Sequence, residues 1–377
     1  MIKKLRIPKS STPDFIFLGF LVVLVIFGLV VLTSASSDLA KAETGDSMYY
    51  LIHQMTNGLA VGLVGFLIGF FVYYRFWERI SIPLLVFGII LLFLVFTPLV
   101  DIQKGGARWI DFQVFKFQPG EFIKLAFLIY LSAWVGKNQE RSKSFISGFI
   151  PFSLLVGAVM VLLILQPATS TAALVFFSSL IIYFVAGAKP KFFIGMILIG
   201  VISLGVLIFA IKSDTGGDNY RLKRVTTFLH PESDPLGTGW HINQALNAIG
   251  SGGVFGVGFG KSTSKLHFLP EPIGDSIFAV IAEELGFVGA SGFLLFFLAF
   301  LWRGFRIATR APDNFAKYMV VGFMSILGLQ TFVNIGAISG VIPLTGVPLP
   351  FVSYGGTALA VFLTMSGIIA NVSKYKR

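Results

Sequence analysis

The sequence has no cysteine, which excludes a disulfide framework and any thiolate-bound metal. It has little charge: Asp, Glu, Lys and Arg make up 12% of its 377 residues, roughly half the share usual in a soluble domain. Histidine is rare, and His53, His230, His241 and His267 show no metal-ligand spacing. Acids are scarcer than bases, 18 against 29, for a net charge of +11. A basic excess can signal nucleic acid, so the placement of the bases has to decide. What fills the chain is apolar: 55% of residues, with 41 Phe and 41 Gly. That composition suits helices packed in lipid and predicts an all-α integral membrane protein.

Apolar runs of about 20 residues, the length that crosses a bilayer core, fall at 15–35, 55–73, 82–100, 119–136, 146–165, 169–187, 192–211, 275–301, 316–337 and 357–373. They predict ten transmembrane helices. With a cytoplasmic N-terminus, every inside segment carries at least two bases. These are Lys3, Lys4, Arg6 and Lys9; Arg75 and Arg79; Lys137, Arg141 and Lys143; Lys189 and Lys191; Arg303, Arg306, Arg310 and Lys317; and Lys374, Lys376 and Arg377. The positive-inside rule then puts both termini in the cytoplasm. The excess charge is topology, and no nucleic-acid partner is expected. The first run exceeds the ~7–15-residue apolar core of a signal peptide, so it is read as an uncleaved anchor. Residues 1–377 are taken as one polytopic membrane domain.

Two connections on the outer side stand out. The loop at about 212–274, between the seventh and eighth runs, is far longer than a usual connection and is expected to be functional. It holds a possible short helix, WHINQALNAI, and then the glycine run GSGGVFGVGFGKS. The second connection, NIGAISGVIPLTGVPLPFVSYGG at 334–356, has no charge, and its Gly and Pro forbid a clean spanning helix. Irregular apolar backbone at membrane depth needs protein or a wet cavity around it, so a re-entrant or cavity-lining segment is expected.

The glycine run is not a nucleotide loop. A P-loop ending in Gly260-Lys261-Ser262 needs glycine at a position occupied by Phe255. A tight structural turn and a backbone cradle for an anion both remain open. Asp275 lies where the long loop enters the eighth run. It is either helix-end chemistry or a carboxylate at the membrane boundary able to take a proton. Glu283 and Glu284 follow eight and nine residues later, about 12–13 Å deeper on a helix. On a regular helix they cannot share one wall with Asp275, and they are read as structural support. In the fourth run, Glu121 and Lys124 are three apart and share a face. They form either a self-contained ion pair or the wall of a polar groove. Arg108, Lys116, Arg221, Lys223, Arg224, Lys261 and Lys265 gather on the outer side. That runs against the positive-inside bias, so it favours an anionic ligand there, with lipid headgroups as the competitor.

Four stretches carry a family resemblance: QPGEFIKL (118–125), HINQALNAIGSGGVFGVGFGKS (241–262), FLPEPIGDSIFAVIAEELGFVG (268–289) and NIGAISGVIPLTGVPLPFVSYGGTAL (334–359). The chain resembles the SEDS family, the FtsW/RodA/SpoVE group, over nearly its whole length. Its Pro343-Leu344-Thr345-Gly346 leans toward the FtsW/SpoVE side. The resemblance implies a fold of ten transmembrane helices and a peptidoglycan glycosyltransferase that polymerises lipid II outside the cytoplasmic membrane. It implies partnership with a class B penicillin-binding transpeptidase and other division or elongation membrane proteins. The family's essential aspartate falls on Asp275, and the resemblance also supports Glu121, Lys124, a base at Lys116, and Ser353. Three departures stand against it. A QPDxGT-like motif is Gln166-Pro167-Ala168-Thr169-Ser170-Thr171 here. A His-Thr pair before the aspartate is Ile273-Gly274, and the Phe after it is Ser276. Gly120 stands where Ser or Ala is usual.

The implied reaction sets two requirements. A general base, Asp275, takes the acceptor hydroxyl proton. Cations stabilise the leaving pyrophosphate: Lys124, Arg108, Lys116, Arg221, Arg224 and Lys265, with a divalent ion (Mg or Mn) an open addition. The alternatives are a lipid II flippase, which needs alternating access and no general base, and a non-catalytic scaffold for the transpeptidase.

Overall fold

The structure, a computed structural model, describes residues 11–97, 100–103, 106–111, 116–198, 200, 226–230, 234, 237–266 and 268–375. Asp14 starts the first helix. Its carboxylate accepts from the Phe17 amide, which caps α1 (Phe15–Thr44), and Gly45 at φ 78° closes the other end on Lys41 O. α2 (Tyr49–Phe71) passes through one π-helical stretch, Gln54–Ala60. α3 (Ser81–Leu94), α4 (Pro119–Gly136), α5 (Phe145–Leu165) and α6 (Thr169–Val185) follow. α7 is described over 190–198. The later helices are α8 (Thr238–Ser251), α9 (Ile277–Thr309), α10 (Asn314–Ile338) and α11 (Gly356–Ser373).

Nine of the ten expected runs fall on these helices, and the rest of the tenth, 192–211, lies outside the described residues. Among the described residues, six helices are long and apolar enough to cross a membrane, while α3 and α6 are apolar but shorter. Their outward faces carry Val22, Ile26, Leu67, Ile68, Val86, Ile90, Leu154 and Leu298, all exposed. In water such faces would aggregate; in lipid they are solvated. α10 and α11 instead bury most of their side chains against the other helices.

One feature departs from an all-helical chain. Between α3 and α4, β1 (Val100–Gln103), β2 (Gly106–Asp111) and β3 (Lys116–Phe117) form an antiparallel sheet in that order. Its Ile110 packs against Leu91 of α3 and Val95 just past its end.

The regular helix expected at 275–301 is also corrected. α9 begins at Ile277 and breaks at Gly286, with φ 68° and ψ −170°. Only glycine adopts that conformation readily. The glycine run supplies the reason for the break. Val257 N donates to Glu283 O at 3.0 Å and Gly258 N to Glu284 O at 3.1 Å, while Phe287 N and Val288 N donate to Gly253 O and Val254 O at 2.9 and 3.1 Å. Backbone groups released by the break are thus re-paired by the loop, as an apolar surrounding requires. The approach is close enough that a Cβ on Gly286 would sit 2.2 Å from Gly256 N. Of the two readings left open for the run, this is the structural one. Gly286→Ala is expected to cost about 2–4 kcal/mol from backbone strain and overpacking. Thermal unfolding in detergent should drop accordingly, with new protease sensitivity near residues 252–262. An unchanged melting curve would remove this account of the break.

Candidate functional site

Asp275 does not lie on α9. It is the second-last residue of the turn 271–276 that leads into the helix, and it is half-buried. The turn is tight: Gly274 N and Ser276 N both donate to Glu271 O, at 3.0 and 3.2 Å, and Glu271 takes φ 49°. Three side chains from distant parts of the chain grip it. Asn334 Nδ2 donates to Asp275 O at 2.8 Å, Ser353 Oγ donates to Gly274 O at 2.7 Å, and His241 Nε2 meets Ser276 Oγ at 2.7 Å.

The irregular segment after α10 is what brings these groups together. Between Ser339 and Gly355 the chain has no helix, yet Leu344, Val347, Leu349, Phe351, Val352 and Ser353 are buried. Its backbone is satisfied by polar side chains reaching in from the helices. Gln330 Nε2 donates to Pro348 O at 2.9 Å, Asn334 Nδ2 to Val347 O at 2.8 Å, and Ser170 Oγ to Thr345 O at 2.8 Å. Ser353 Oγ accepts from Leu349 N at 2.8 Å, Gln54 Oε1 accepts from Gly355 N at 3.0 Å, and Tyr354 N donates to Ile273 O at 2.8 Å. This is the re-entrant reading in physical form: unwound backbone, largely buried, with these groups paired inside the protein. Ser170, a departure from the family pattern, is one of the residues that hold it.

Glu121 and Lys124 sit on the buried face of α4. Their charged atoms are 2.6 Å apart with side-chain exposures of 3% and 0%. Lys124 Nζ also donates to Gln330 Oε1 at 2.7 Å and lies 5.3 Å from the centre of the Phe362 ring. Lys124 is therefore sealed among protein groups, and the pair does not wall an open groove. It still connects to the site. Gln330 and Asn334 are i and i+4 on α10 and share a face, so Lys124, Gln330, the 347–353 backbone, Asn334 and Asp275 form one polar chain.

Other expected contacts are placed elsewhere. Lys265 is corrected from a substrate cation to a buried tie. Its Nζ meets Glu284 Oε1 at 2.9 Å, Ser34 O at 2.9 Å and Gly260 O at 3.0 Å. Glu284 also accepts from Ser34 Oγ at 2.7 Å, which joins α1 to α9. Glu283 accepts from Ser262 Oγ at 2.6 Å and from the amides of Thr263 and Ser264 at 3.0 and 3.2 Å. Both glutamates thus anchor the loop that follows the glycine run. Lys116 is exposed on β3, and its carbonyl accepts from Thr357 Oγ1 at 3.2 Å. Arg108 lies on β2 with its side chain outside the description, and Arg221 and Arg224 lie outside the described residues. No group of three or more His, Asp or Glu among the described residues is arranged to hold a metal ion.

Three residues of the site were not foreseen: Gln330, Asn334 and His241. For the first two a signal existed, since two carboxamides four apart in an otherwise apolar run predict an inward polar face.

Comparison with known proteins decides the family. A model described as a cell cycle protein, covering FtsW, RodA and SpoVE, matches residues 14–377. The chain belongs to the SEDS family. Among its SEDS relatives, stage V sporulation protein E of Bacillus subtilis (strain 168) is 37% identical over 370 residues, covering 98% of this chain and 99% of that one. A probable peptidoglycan glycosyltransferase FtsW of Geobacter sp. (strain M18) is 36% identical over 365 residues, covering 97% of each. The fold matches a chain of a peptidoglycan synthase complex that coordinates polymerization and crosslinking, with TM-score 0.78, 28% identity, and 96% and 97% of the two chains covered. It also matches the rod shape determining protein RodA of Thermus thermophilus, with TM-score 0.71, 27% identity, and 97% and 98% covered. As a SEDS protein the chain is a multi-pass integral membrane protein.

Proposed function

We propose that this chain is a peptidoglycan glycosyltransferase that polymerises lipid II into glycan strands at the outer face of the cytoplasmic membrane, in a complex with a class B transpeptidase. The observation that carries the reading is the turn 271–276. It presents the half-buried Asp275 on backbone clamped by Ser353, Asn334 and His241, at the mouth of the long loop.

The chemistry follows from those residue types. A sugar hydroxyl of the acceptor attacks the anomeric carbon of the donor. The new glycosidic C–O bond forms as the bond to the polyprenyl pyrophosphate breaks, and the hydroxyl proton passes to Asp275. A base fixed by its own backbone meets the geometric demand of general-base catalysis, where reach comes before pKa. The bases proposed to face the leaving pyrophosphate are Lys116, Arg108, Arg221 and Arg224. Lys124 and Lys265 are withdrawn from that role because both are buried in protein contacts. The positive-inside distribution supports a site on the outer face. A divalent cation enters no step.

The flippase alternative would use the intramembrane charges as a polar path. Glu121 and Lys124 are instead sealed against each other. The deciding experiment gives the purified protein lipid II, with and without its transpeptidase, and reads glycan strands on a gel; liposomes loaded with labelled lipid II report flipping in parallel. Strands without flipping support the polymerase. Flipping without strands, partner and divalent cation supplied, overturns it.

A further inference from the structure

The residue after Asp275 departs from the family pattern. Where the family resemblance leads one to expect Phe, the chain has Ser276, with no exposed surface at all. A buried hydroxyl needs partners, and Ser276 has two. Its Oγ lies 2.7 Å from Pro270 O and 2.7 Å from His241 Nε2. A hydroxyl has one hydrogen and a carbonyl can only accept. The Ser276 hydrogen therefore goes to Pro270 O, and the proton between the imidazole and Ser276 must sit on His241 Nε2. The hydrogen bonds settle the tautomer: His241 donates, Ser276 relays, Pro270 accepts.

The consequence is mechanical. Pro270 precedes the turn and Ser276 ends it, so the relay ties the two ends together across Asp275. His241 does this from α8, whose buried residues Gly239, Ile242, Ala245 and Ala248 lie on the face packed toward α9. The inner side of the turn is held by Asn334 and Ser353; the outer side is held by His241. Because Nε2 carries its hydrogen in both the neutral and the protonated ring, this hold does not depend on the charge of the imidazole.

We propose that His241 is a positioning residue for Asp275, acting through the Ser276 hydroxyl. The proposal rests on the reading of Asp275 as the general base. It explains the departure at position 276: the chain gives up an aromatic side chain there and gains a hydrogen-bonded brace from the long loop. A catalytic base displaced by about 1 Å can lose on the order of 100-fold in rate, and losing one of three braces should lose part of that.

The test is a double-mutant cycle on glycan polymerisation, using the full chain with its transpeptidase and measuring kcat and KM for lipid II separately. His241→Ala is expected to lower kcat about 10–30-fold with KM within about threefold. Ser276→Ala should do the same, and the double variant should be no worse than either single one within about twofold. His241→Gln, whose amide nitrogen reaches close to the Nε2 position, should recover most of the rate, and His241→Asn, whose nitrogen falls short, should not. Multiplying losses in the double variant would overturn the relay. Gln and Asn behaving alike would also overturn it, and a loss in His241→Gln as deep as in His241→Ala would point to proton transfer by His241 instead. If His241→Ala melts early, Ser276→Ala and the Gln/Asn pair carry the decision. Asp275→Asn run alongside separates the two ideas: an active Asp275→Asn overturns the general-base reading, whereas an inactive one beside a fully active His241→Ala overturns only the brace.

Discussion

Asp275→Asn should abolish glycan polymerisation while leaving the fold intact. The magnitude follows from general-base catalysis, which contributes about 10²–10⁴ in rate. The cleanness of the experiment follows from the structure. Asn334 grips the carbonyl of Asp275, Ser353 grips the carbonyl of Gly274, and His241 grips the hydroxyl of Ser276. None of these bonds uses the substituted carboxylate, and Asn matches Asp in shape. The backbone clamps of the turn are thus expected to survive, with kcat lost and KM nearly unchanged. The measurements are glycan strands from lipid II and thermal unfolding in the same detergent. A variant that polymerises at the wild-type rate would remove Asp275 from the chemistry.

Lys124→Met should do the opposite, damaging the fold first and activity as a result. Removing the lysine leaves Glu121 only 2% exposed with no cation beside it. Breaking a buried pair in this way costs about 3–5 kcal/mol, whereas replacing both partners by neutral groups of similar shape is often neutral or favourable. The double variant Glu121→Gln, Lys124→Met should therefore recover most of the lost stability. Its activity is the informative reading. If the lysine acts only by neutralising the buried Glu121, polymerisation should return with the fold to within about tenfold. If the lysine meets the pyrophosphate in another conformation, the double variant will be stable and inactive. Melting temperature and polymerisation, measured on both variants, separate these outcomes. A single variant as stable as wild type would show that Glu121 is not trapped as a charge.

The sequence by itself determined the class of molecule, its helices and the position of the acid. Apolar runs of bilayer length are a local property of the chain, readable residue by residue, and nine of them fall on helices, though the third stops at Leu94 and the eighth breaks at Gly286. The charge asymmetry, equally local, carries the expectation of orientation. Even the unwound stretch at 339–355 announced itself, because Gly and Pro impose their conformations locally. Tertiary structure alone decided which polar groups meet. Ser34 and Glu284 are 250 residues apart, Lys124 and Gln330 are 206 apart, and Ser170 and Thr345 are 175 apart. No local pattern encodes such pairs. That is why Lys265 read as a cation for substrate and proved to be a buried tie to Glu284. The break at Gly286 was hidden likewise, since a glycine inside an apolar run is ordinary until another backbone lies against it. In lipid, each unwound carbonyl or amide must find a partner inside the protein, and which side chain supplies it depends on the whole bundle. The chain's local chemistry placed Asp275 at the end of the long loop; the folded bundle decided that Asn334, Ser353 and His241 hold it there.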